Sequence, residues 1–319
     1  MVRFGIIASA PVPTRGGFTF SVTGPDLHRV YDILHLLDDG WKIDEAEAGR
    51  IRLNSNSGVA NVRRTDFIDA PWRAVLAASG WTFTSGYAGK DGLLFHETDD
   101  LYVLHETFDL ETYKPVMSVE GKVVVDVGAS FGDTAVYFSR LGAKVHAFEP
   151  VPAVYERACE TIRLNGCGER VALVNAAIAS ESVGFVSLPR DGSVDRSSGF
   201  SLVGAGGQFR SRPEGGLRVP VTTLADAIGS LDVQLLKMDC EGAEYGVILR
   251  DYKTVRRFDE VIVEWHQSIT GIPVGRLIKQ LSADFVVTTS YGLPISQSAS
   301  RTTRPSRSDV GILHAVKVR

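Results

Sequence analysis

The sequence predicts an α/β protein whose C-terminal two-thirds form a doubly wound, mostly parallel sheet. After residue 101, strand-length apolar runs alternate with helical patterns, which is typical of βαβ units. The run that ends at Asp126 is apolar throughout, as expected of a parallel strand that helices cover on both faces. A glycine-containing turn, Gly128 to Gly132, follows this strand and leads directly into a helical pattern.

The predicted strands of this sheet are short apolar runs, and in chain order they are 122–126, 144–148, 170–174, 234–238, 260–264, 285–289 and 311–316. One helix is predicted from Gly132 to Leu141 and another from Pro152 to Asn165. The second helix begins with Pro, which the first turn of a helix accepts, and Gly166 follows its end. Strand and helix therefore alternate as a parallel sheet requires.

Residues 1–100 follow a different pattern and are predicted to form an accessory or cap domain, with residues 101–319 as the second domain. Short strands at 4–8, 18–22 and 50–53 alternate here with helical patterns at 25–37 and 71–78. This part contains no residue pattern that indicates a chemical site. We therefore expect the chemistry to lie in residues 101–319.

The composition indicates a globular protein without a strong overall charge. Its 319 residues are 44% hydrophobic and 23% charged, and the formal net charge is -4. A mildly acidic chain does not attract nucleic acid or an anionic membrane over its whole surface, so neither is expected as a partner. No apolar run approaches the ~20 residues that cross a bilayer, and the three cysteines form no CxxC pair. These features predict a cytoplasmic protein with no metal site, and a homo-oligomer is left open.

The turn after the first strand of the sheet is the strongest chemical signal. Gly128 permits a tight turn, a small residue at Ser130 lets a ligand approach the backbone, and Gly132 opens the helix. The spacing lacks the third glycine of a dinucleotide fingerprint. Asp133 also lies where a diphosphate needs neutral amides, whereas the ammonium group of an amino acid can pair with Asp133 or Asp126. The turn therefore favours a nucleoside that carries an amino acid over NAD.

The ends of the next two strands provide the remaining contacts that such a ligand needs. Glu149 ends the second strand, where a carboxylate can accept hydrogen bonds from both ribose hydroxyls. Asn175 and Ala176 follow the third strand, where small residues leave room for an adenine ring. Each signal is weak alone, but Glu149 gains weight from its interval to the glycine turn.

Acidic residues gather at the ends of the fourth and fifth strands. Asp239, Glu241 and Glu244 lie within six residues, and Glu264 and His266 end the following strand. Acids at a helix start commonly stabilise the helix dipole, by about 0.3–1 kcal/mol each. Three acids beside a glycine are more than helix stabilisation requires, which indicates a chemical role for some of them. His266 is a candidate general base, because it follows Glu264 at the same edge of the sheet.

Six segments in this order resemble the FkbM family of class I methyltransferases: VVVDVGASFGDTAVYF, HAFEPVP, LVNAAI, VTTLADAI, LLKMDCEGAEYGVI and VIVEWH. The resemblance covers about residues 101–290 and says nothing of residues 1–100. It implies a Rossmann-like sheet of seven strands with an antiparallel last strand, S-adenosyl-L-methionine as methyl donor, and O-methylation of a sugar or natural-product hydroxyl. Ser130 and Cys240 depart from the Asn and the Val or Ile usual in the family, but neither change removes a group that the chemistry needs.

The resemblance also assigns candidate site residues by position. It places Gly128, Ser130 and Gly132 at the methionine moiety, Glu149 at the ribose, and Asp239, Glu241 and His266 around the acceptor. With the acids and small residues discussed above, the candidate cofactor-binding set is Asp126, Gly128, Ser130, Gly132, Asp133, Thr134, Glu149, Asn175 and Ala176. Our hypothesis is that His266 or Asp239 takes the proton of the acceptor, while Glu241 and Glu244 orient the sugar or the base.

Other functions remain as alternatives at this stage. An RNA 2′-O-methyltransferase would use Lys237, but the negative overall charge disfavours it. A NAD-dependent oxidoreductase is disfavoured by the spacing of the turn, and a non-catalytic nucleoside-binding scaffold by the intact acids. A Mg²⁺ ion on Asp239, Glu241 and Glu264 ranks below metal-free chemistry.

Two polar stretches are expected to help select a small-molecule or glycan acceptor. Residues 180–220 are rich in Gly, Ser and Arg, with strand-like pieces at 183–188 and 218–221. Residues 296–308 carry Arg301, Arg304 and Arg307, which could meet an anionic acceptor if this segment acts as a lid. A simple hairpin tip is the more ordinary interpretation of the second stretch.

Overall fold

The chain forms two compact units, Met1–Leu110 and Glu111–Arg319. The computed structural model describes residues 7–11, 19–23, 42–45, 50–55, 58–63, 71–188, 203, 216–289 and 310–318. The division predicted from the sequence, after residue 100, falls inside the first of these units and stays a prediction. The predicted helix at 25–37, the lid at 296–308 and most of the stretch at 180–220 lie outside the described residues.

The N-terminal unit contains small antiparallel sheets and short helices. Its described strands are β1 (Ile7–Pro11), β2 (Thr19–Thr23), β3 (Lys42–Glu45), β4 (Arg50–Ser55), β5 (Gly58–Arg63), β6 (Thr82–Thr84), β7 (Tyr87–Lys90) and β8 (Leu93–His96). They pair as β1-β2, β3-β4-β5 and β6-β7-β8. Its described helices are α1 (Pro71–Ala78), α2 (Leu101–Leu104) and a π-helix (His105–Asp109). The predicted helix at 71–78 is confirmed, and strands lie at or near the three predicted places.

The C-terminal unit contains a seven-stranded sheet and a smaller three-stranded sheet. Its strands are β9 (Val123–Val127), β10 (Lys144–Phe148), β11 (Val171–Val174), β12 (Ala177–Ala179), β13 (Gly184–Leu188), β14 (Leu217–Thr223), β15 (Val233–Met238), β16 (Glu260–His266), β17 (Phe285–Thr289) and β18 (Val310–Lys317). The order in the large sheet is β11-β10-β9-β15-β16-β18-β17. In this sheet β18 pairs antiparallel with both of its neighbours, β16 and β17, and the other described pairs are parallel. The predicted Rossmann-like sheet with an antiparallel last strand is confirmed.

Helices connect these strands as the sequence predicts. The described helices of this unit are α3 (Asp133–Arg140), α4 (Pro152–Leu164), α5 (Leu224–Ile228), α6 (Ala243–Arg250), α7 (Tyr252–Val255), α8 (Gln267–Thr270) and α9 (Gly275–Leu281). Pro152 occupies the first turn of α4, where its missing N–H costs no helix hydrogen bond. The helices α3 and α6 follow β9 and β15 directly, so both begin at the carboxyl edge of the sheet.

The central strands of the sheet are buried on both faces. In β9, Val124, Val125 and Val127 are almost inaccessible to solvent, and β15 is buried along its whole length. This burial explains why the two strands read as continuous apolar runs rather than as alternating ones. Their polar members, Asp126 and Lys237, are therefore buried as well.

The small sheet was not predicted as a sheet. Strand β14 pairs in parallel with β12 and antiparallel with β13. The pieces predicted at 183–188 and 218–221 are β13 and β14, while β12 was missed because it has three residues. A strand this short carries too little period-two pattern to be recognised in a sequence. The small sheet places the segment after β11 beside α6 rather than in a free loop.

Candidate active site

The turn between β9 and α3 has the left-handed backbone that its glycines predict. Gly128, Ser130 and Gly132 have φ values of 80°, 48° and 91°. The backbone N–H groups of Gly128 and Ala129 both donate to the carbonyl oxygen of Phe148, at 3.0 Å each. A Cβ at position 128 would overlap the carbonyl oxygen of Asp239. The first and fourth strand ends are thus in direct contact, and Gly128 makes that contact sterically possible.

Beneath this turn lies a buried ion pair between neighbouring strands. The Lys237 ammonium group donates to the carbonyl oxygen of Gly128 at 2.7 Å and lies 3.2 Å from Oδ1 of Asp126. The Thr134 hydroxyl donates to Oδ2 of Asp126 at 2.7 Å. Burial alone would lower the pKa of Lys237, but the charges of Asp126, Asp239 and Asp133 raise it above its usual range. The ammonium group therefore stays charged.

These contacts revise two of the predicted cofactor contacts. Asp126 was expected to pair with the ammonium group of a ligand, but Lys237 already balances its charge. Thr134 faces Asp126 rather than the open side of the turn. Asp133, the first residue of α3, stays the predicted partner of a ligand ammonium group. Lys237, which the sequence offered for RNA, is only 1% exposed and holds the turn instead.

Glu149 connects the glycine turn to the end of β10. One carboxylate oxygen accepts the N–H of Ser130 at 3.0 Å, and the other accepts the N–H of Val151 at 2.8 Å. Burial raises the pKa of Glu149 to about 7, although these two bonds act in the opposite direction. Each oxygen retains a second lone pair, which is what ribose hydroxyls require.

Asn175 serves the backbone rather than an open pocket. Its side-chain NH₂ donates to the carbonyl oxygens of Glu149 and Pro150, at 2.8 and 3.1 Å. The amide therefore ties the end of β11 to the end of β10. Ala176 is buried directly after it, so the small residue predicted beside an adenine ring is part of the packed strand end.

His266 is held by Glu244 at the end of β16. Oε1 of Glu244 accepts the backbone N–H of His266 at 3.0 Å and lies 3.2 Å from its Nδ1. Oε2 accepts the N–H of Gly242 at 2.9 Å and the thiol of Cys240 at 3.4 Å. Because Glu244 is fully buried and uses both oxygens, it orients the imidazole and not an acceptor.

The other ring nitrogen of His266 faces two carboxylates. Its Nε2 lies 3.8 Å from Oδ1 of Asp239 and 3.7 Å from Oε2 of Glu241. Burial lowers the pKa of His266, but the hydrogen bond to Glu244 and the charges of Glu244, Asp239 and Glu241 raise it to about 10. At neutral pH the ring already carries its proton, so the structure favours Asp239 over His266 as the base.

Tyr113, which no sequence pattern indicated, also contacts the carboxylates at the ends of β15 and β16. The Tyr113 hydroxyl donates to Oε2 of Glu264 at 2.8 Å and to Oδ2 of Asp239 at 3.2 Å. Burial raises the pKa of Glu264 to about 7, and the charge of Asp239 adds to this. The structure thus brings together all the residues predicted for the acceptor side and adds Tyr113.

Comparison with known proteins identifies the family. Residues 126–285 match the family described as the methyltransferase FkbM domain. The chain belongs to the FkbM family. It is an S-adenosyl-L-methionine-dependent methyltransferase, and the enzyme class and cofactor predicted from the sequence are confirmed.

Solved methyltransferases resemble this FkbM protein at low identity. Precorrin-6y C5,15-methyltransferase from Geobacter metallireducens is 13% identical, with a TM-score of 0.38 over 72% of this chain and 96% of that one. An rRNA methylase from Streptococcus thermophilus is 10% identical, with a TM-score of 0.38 over 64% and 90%. A methyltransferase from Geobacter sulfurreducens is 16% identical, with a TM-score of 0.31 over 61% and 71%. These likenesses do not identify the methyl acceptor of this protein.

The residues of the FkbM site fit S-adenosyl-L-methionine. The turn at Gly128, Ser130 and Gly132 would hold the methionine moiety, with Asp133 at its ammonium group and Glu149 at the ribose. A sulfonium ligand suits the surroundings, because among the described residues carboxylates outnumber cations around this edge of the sheet. The donor supplies a methyl group on a positively charged sulfur, so the protein needs to place the acceptor and manage its proton.

The described residues show no metal cluster and no membrane helix. Among them, no group of three or more His, Cys, Asp and Glu side chains could hold a metal ion. Asp239 and Glu264 bind Tyr113, whereas Glu241 faces His266. No helix in this part of the chain combines the length and apolar character that a membrane crossing requires.

Because Gly128 lies against the backbone of Asp239, replacing it with Ala should cost more stability than the same change at Gly166. Gly128→Ala is expected to lower the free energy of unfolding by about 3 kcal/mol, because left-handed strain adds to a backbone overlap. Gly166→Ala is the matched control, since Gly166 has a φ of 64° but open space around it. It should cost about 1 kcal/mol. Denaturant unfolding of both variants measures the difference, and equal losses would contradict the predicted contact.

Glu244 is predicted to keep the His266 imidazole charged. Glu244→Gln removes the negative charge beside Nδ1, so the pKa of His266 should fall from about 10 toward its ordinary value of 6.5. NMR titration of the imidazole measures this pKa, and His266→Gln assigns the signal. Glu156→Gln, on the exposed side of α4, is the control and should leave the pKa unchanged.

The same raised pKa has a defined effect on stability. A histidine whose pKa is higher in the folded than in the unfolded chain stabilises the fold fully below the unfolded value. That contribution is lost as pH rises from about 6.5 to about 10. The free energy of unfolding should therefore fall more steeply over this range in the wild type than in His266→Gln. Equal slopes would show that the charged ring does not contribute.

Proposed function

We propose that this FkbM methyltransferase transfers the methyl group to a hydroxyl of a sugar or a small natural-product-like metabolite. The observation that carries this proposal is the pair of carboxylates, Asp239 and Glu241, that face the charged ring of His266. Their side chains are 30% and 22% exposed, so both remain accessible beside a buried cation. Carboxylates accept hydrogen bonds from hydroxyl groups and can take their protons.

In the proposed reaction Asp239 is the general base. It would accept the hydroxyl proton as the acceptor oxygen bonds to the methyl carbon, while the bond from that carbon to the sulfonium sulfur breaks and S-adenosylhomocysteine leaves. His266, held by Glu244, keeps its proton and fixes the directions of Asp239 and Glu241 by charge. Glu241 accepts a hydrogen bond from a neighbouring hydroxyl of the acceptor, which sets the orientation of the attacking oxygen.

The charge of this cluster supports a neutral acceptor over RNA. Asp239 and Glu241 are the partly exposed acids at this edge of the sheet, and a polyphosphate strand would be repelled by them. Lys237 cannot attract a phosphate group, because it is buried and engaged with Gly128 and Asp126. A neutral polyol meets no such repulsion.

A methylation assay with several classes of acceptor tests the proposal. Purified protein and labelled S-adenosyl-L-methionine are incubated with neutral glycans, small hydroxylated metabolites and RNA oligonucleotides, and mass spectrometry locates the methyl group. We expect O-methylation of a glycan or metabolite, absent in Asp239→Asn. Methylation of RNA 2′-hydroxyls alone would overturn the proposed acceptor. Binding of the donor without turnover on any acceptor would favour a scaffold, and loss of turnover with a chelator would favour metal assistance.

A further inference from the structure

Tyr113 lies outside the segment that matches the FkbM family, yet its hydroxyl group lies within the carboxylate cluster. Its side chain is almost completely buried, and its hydroxyl is within hydrogen-bond distance of both Glu264 and Asp239. The phenol ring also lies over the Lys237 ammonium group, 5.1 Å from the ring centre. These three contacts join Tyr113 to strands β15 and β16 at the edge where the acceptor would bind.

The segment that carries Tyr113 is fixed on both sides. The N–H groups of Val116 and Met117 donate to the two carboxylate oxygens of Glu260, at 2.7 and 3.0 Å. On the other side, the carbonyl oxygen of Thr112 lies 3.3 Å from Nε2 of His314 in β18. Glu260 is fully buried, so the first pair of bonds anchors this segment to β16. The position of the phenol is thus set by the fold.

We propose that Tyr113 is a positioning residue of the methyl-transfer site, which holds the carboxylates of Asp239 and Glu264 together through one phenol group. This inference rests on the proposed role of Asp239 as the base. Tyr113 takes one lone pair of Oδ2 of Asp239, whereas Oδ1 accepts no bond from the phenol and can meet the acceptor hydroxyl. Oδ1 is also the oxygen that faces His266, and the phenol therefore selects which lone pairs of Asp239 point into the cleft.

One phenol proton cannot serve two carboxylates at full strength. The shorter bond goes to Glu264, whose pKa burial and the charge of Asp239 raise to about 7. The groups that act on Glu264 are Asp239, Glu241, His266 and Tyr113. Of these, the Tyr113 hydrogen bond and the His266 charge favour the ionised form, while the two carboxylates oppose it. Loss of the phenol hydroxyl therefore raises the pKa of Glu264 and frees Asp239 to rotate.

The test is Tyr113→Phe, which removes the hydroxyl and keeps the ring over Lys237. The pKa of Glu264, measured by ¹³C NMR of the side-chain carboxyl and assigned with Glu264→Gln, should rise above the wild-type value of about 7. With an acceptor, kcat should fall about tenfold or more, since hydrogen bonds to charged groups are the stronger ones. The Kd for S-adenosylhomocysteine should stay within about twofold, because Tyr113 is not among the residues assigned to the cofactor.

Tyr252→Phe is the matched control. Tyr252 also donates its hydroxyl to a carboxylate, Asp284 at 2.9 Å, but on α7 and away from the cluster. It should leave the pKa of Glu264 and kcat unchanged. A site-specific 3-fluorotyrosine at position 113 is a stronger donor and should move the pKa of Glu264 downward, which is the opposite direction from Tyr113→Phe.

An unchanged pKa of Glu264 in both Tyr113 variants would overturn the inference. The NMR measurement needs no acceptor, so it gives its answer even if no glycan or metabolite is methylated. Conversely, a wild-type kcat in Tyr113→Phe with normal O-methylation would remove the role of Tyr113 and leave the proposed function standing. The two proposals thus fail on different observations.

Discussion

Lys237→Met is expected to lower the free energy of unfolding by about 3–5 kcal/mol, which is the usual cost of leaving one partner of a buried ion pair alone. Met fills a similar volume in β15, so packing changes little. The lost contacts are the bond to the Gly128 carbonyl, the charge beside Asp126 and the charge under the ring of Tyr113. Denaturant unfolding measures the loss, and the turn should become more accessible to hydrogen exchange at the same time.

Two further variants separate the ion pair from other effects of the lysine. Lys253→Met, on the exposed side of α7, removes a lysine of equal size and should change stability by less than about 0.5 kcal/mol. Adding Asp126→Asn to Lys237→Met removes the uncompensated charge and should recover about half of the loss. If the double variant is as unstable as the sum of the two single variants, the two residues are not coupled.

The pH dependence of the same variant follows from Asp126. Burial raises the pKa of its carboxyl group, and removal of the ammonium group raises it further. An acid whose pKa is higher in the folded chain destabilises the fold as pH rises past the unfolded value. The difference between wild type and Lys237→Met should therefore be larger at about pH 8 than at about pH 5.

The sequence was sufficient to predict the large sheet, because its signals are local. Continuous apolar runs, a Pro at a helix start and glycines at turns each act within a few residues, and β10 and β17 were predicted with the bounds that the structure has. Strand β12 was missed because three residues do not establish a period. The stretch after β13 lies largely outside the described residues, so its predicted role in acceptor choice stays a prediction.

The sequence was enough to predict which residues form the candidate site, but not which of them are charged or paired with one another. Acids at the ends of β15 and β16 indicated the edge where chemistry occurs. The charged state of His266 depends on three carboxylates that meet only in the folded chain. Tyr113 was out of reach for the same reason, since it is 126 residues from Asp239 and 151 from Glu264. Lys237 was available only for the disfavoured RNA alternative, and its pairing with Asp126 could not be predicted because a sequence does not show that a charge is paired.

Asp239→Asn is expected to lower kcat by about 10²–10⁴-fold, the range that a positioned general base contributes. Asn keeps the size of the side chain and an oxygen that can accept from Tyr113, so the change removes the base and little else. The Kd for S-adenosylhomocysteine, measured by calorimetry, should stay within about threefold of the wild type. A fall in kcat without a fall in affinity would place Asp239 at the reacting hydroxyl rather than at the cofactor.

Glu241→Gln separates the two carboxylates that face His266. If Glu241 only orients the acceptor, its loss should raise KM for the acceptor by about tenfold and should lower kcat by less than that. Asp232→Asn, an exposed acid just before β15, is the control for both and should leave kcat and KM unchanged. A larger fall in kcat for Glu241→Gln than for Asp239→Asn would exchange the two roles. In that case Glu241 takes the proton, and Asp239, held by Tyr113, orients the acceptor.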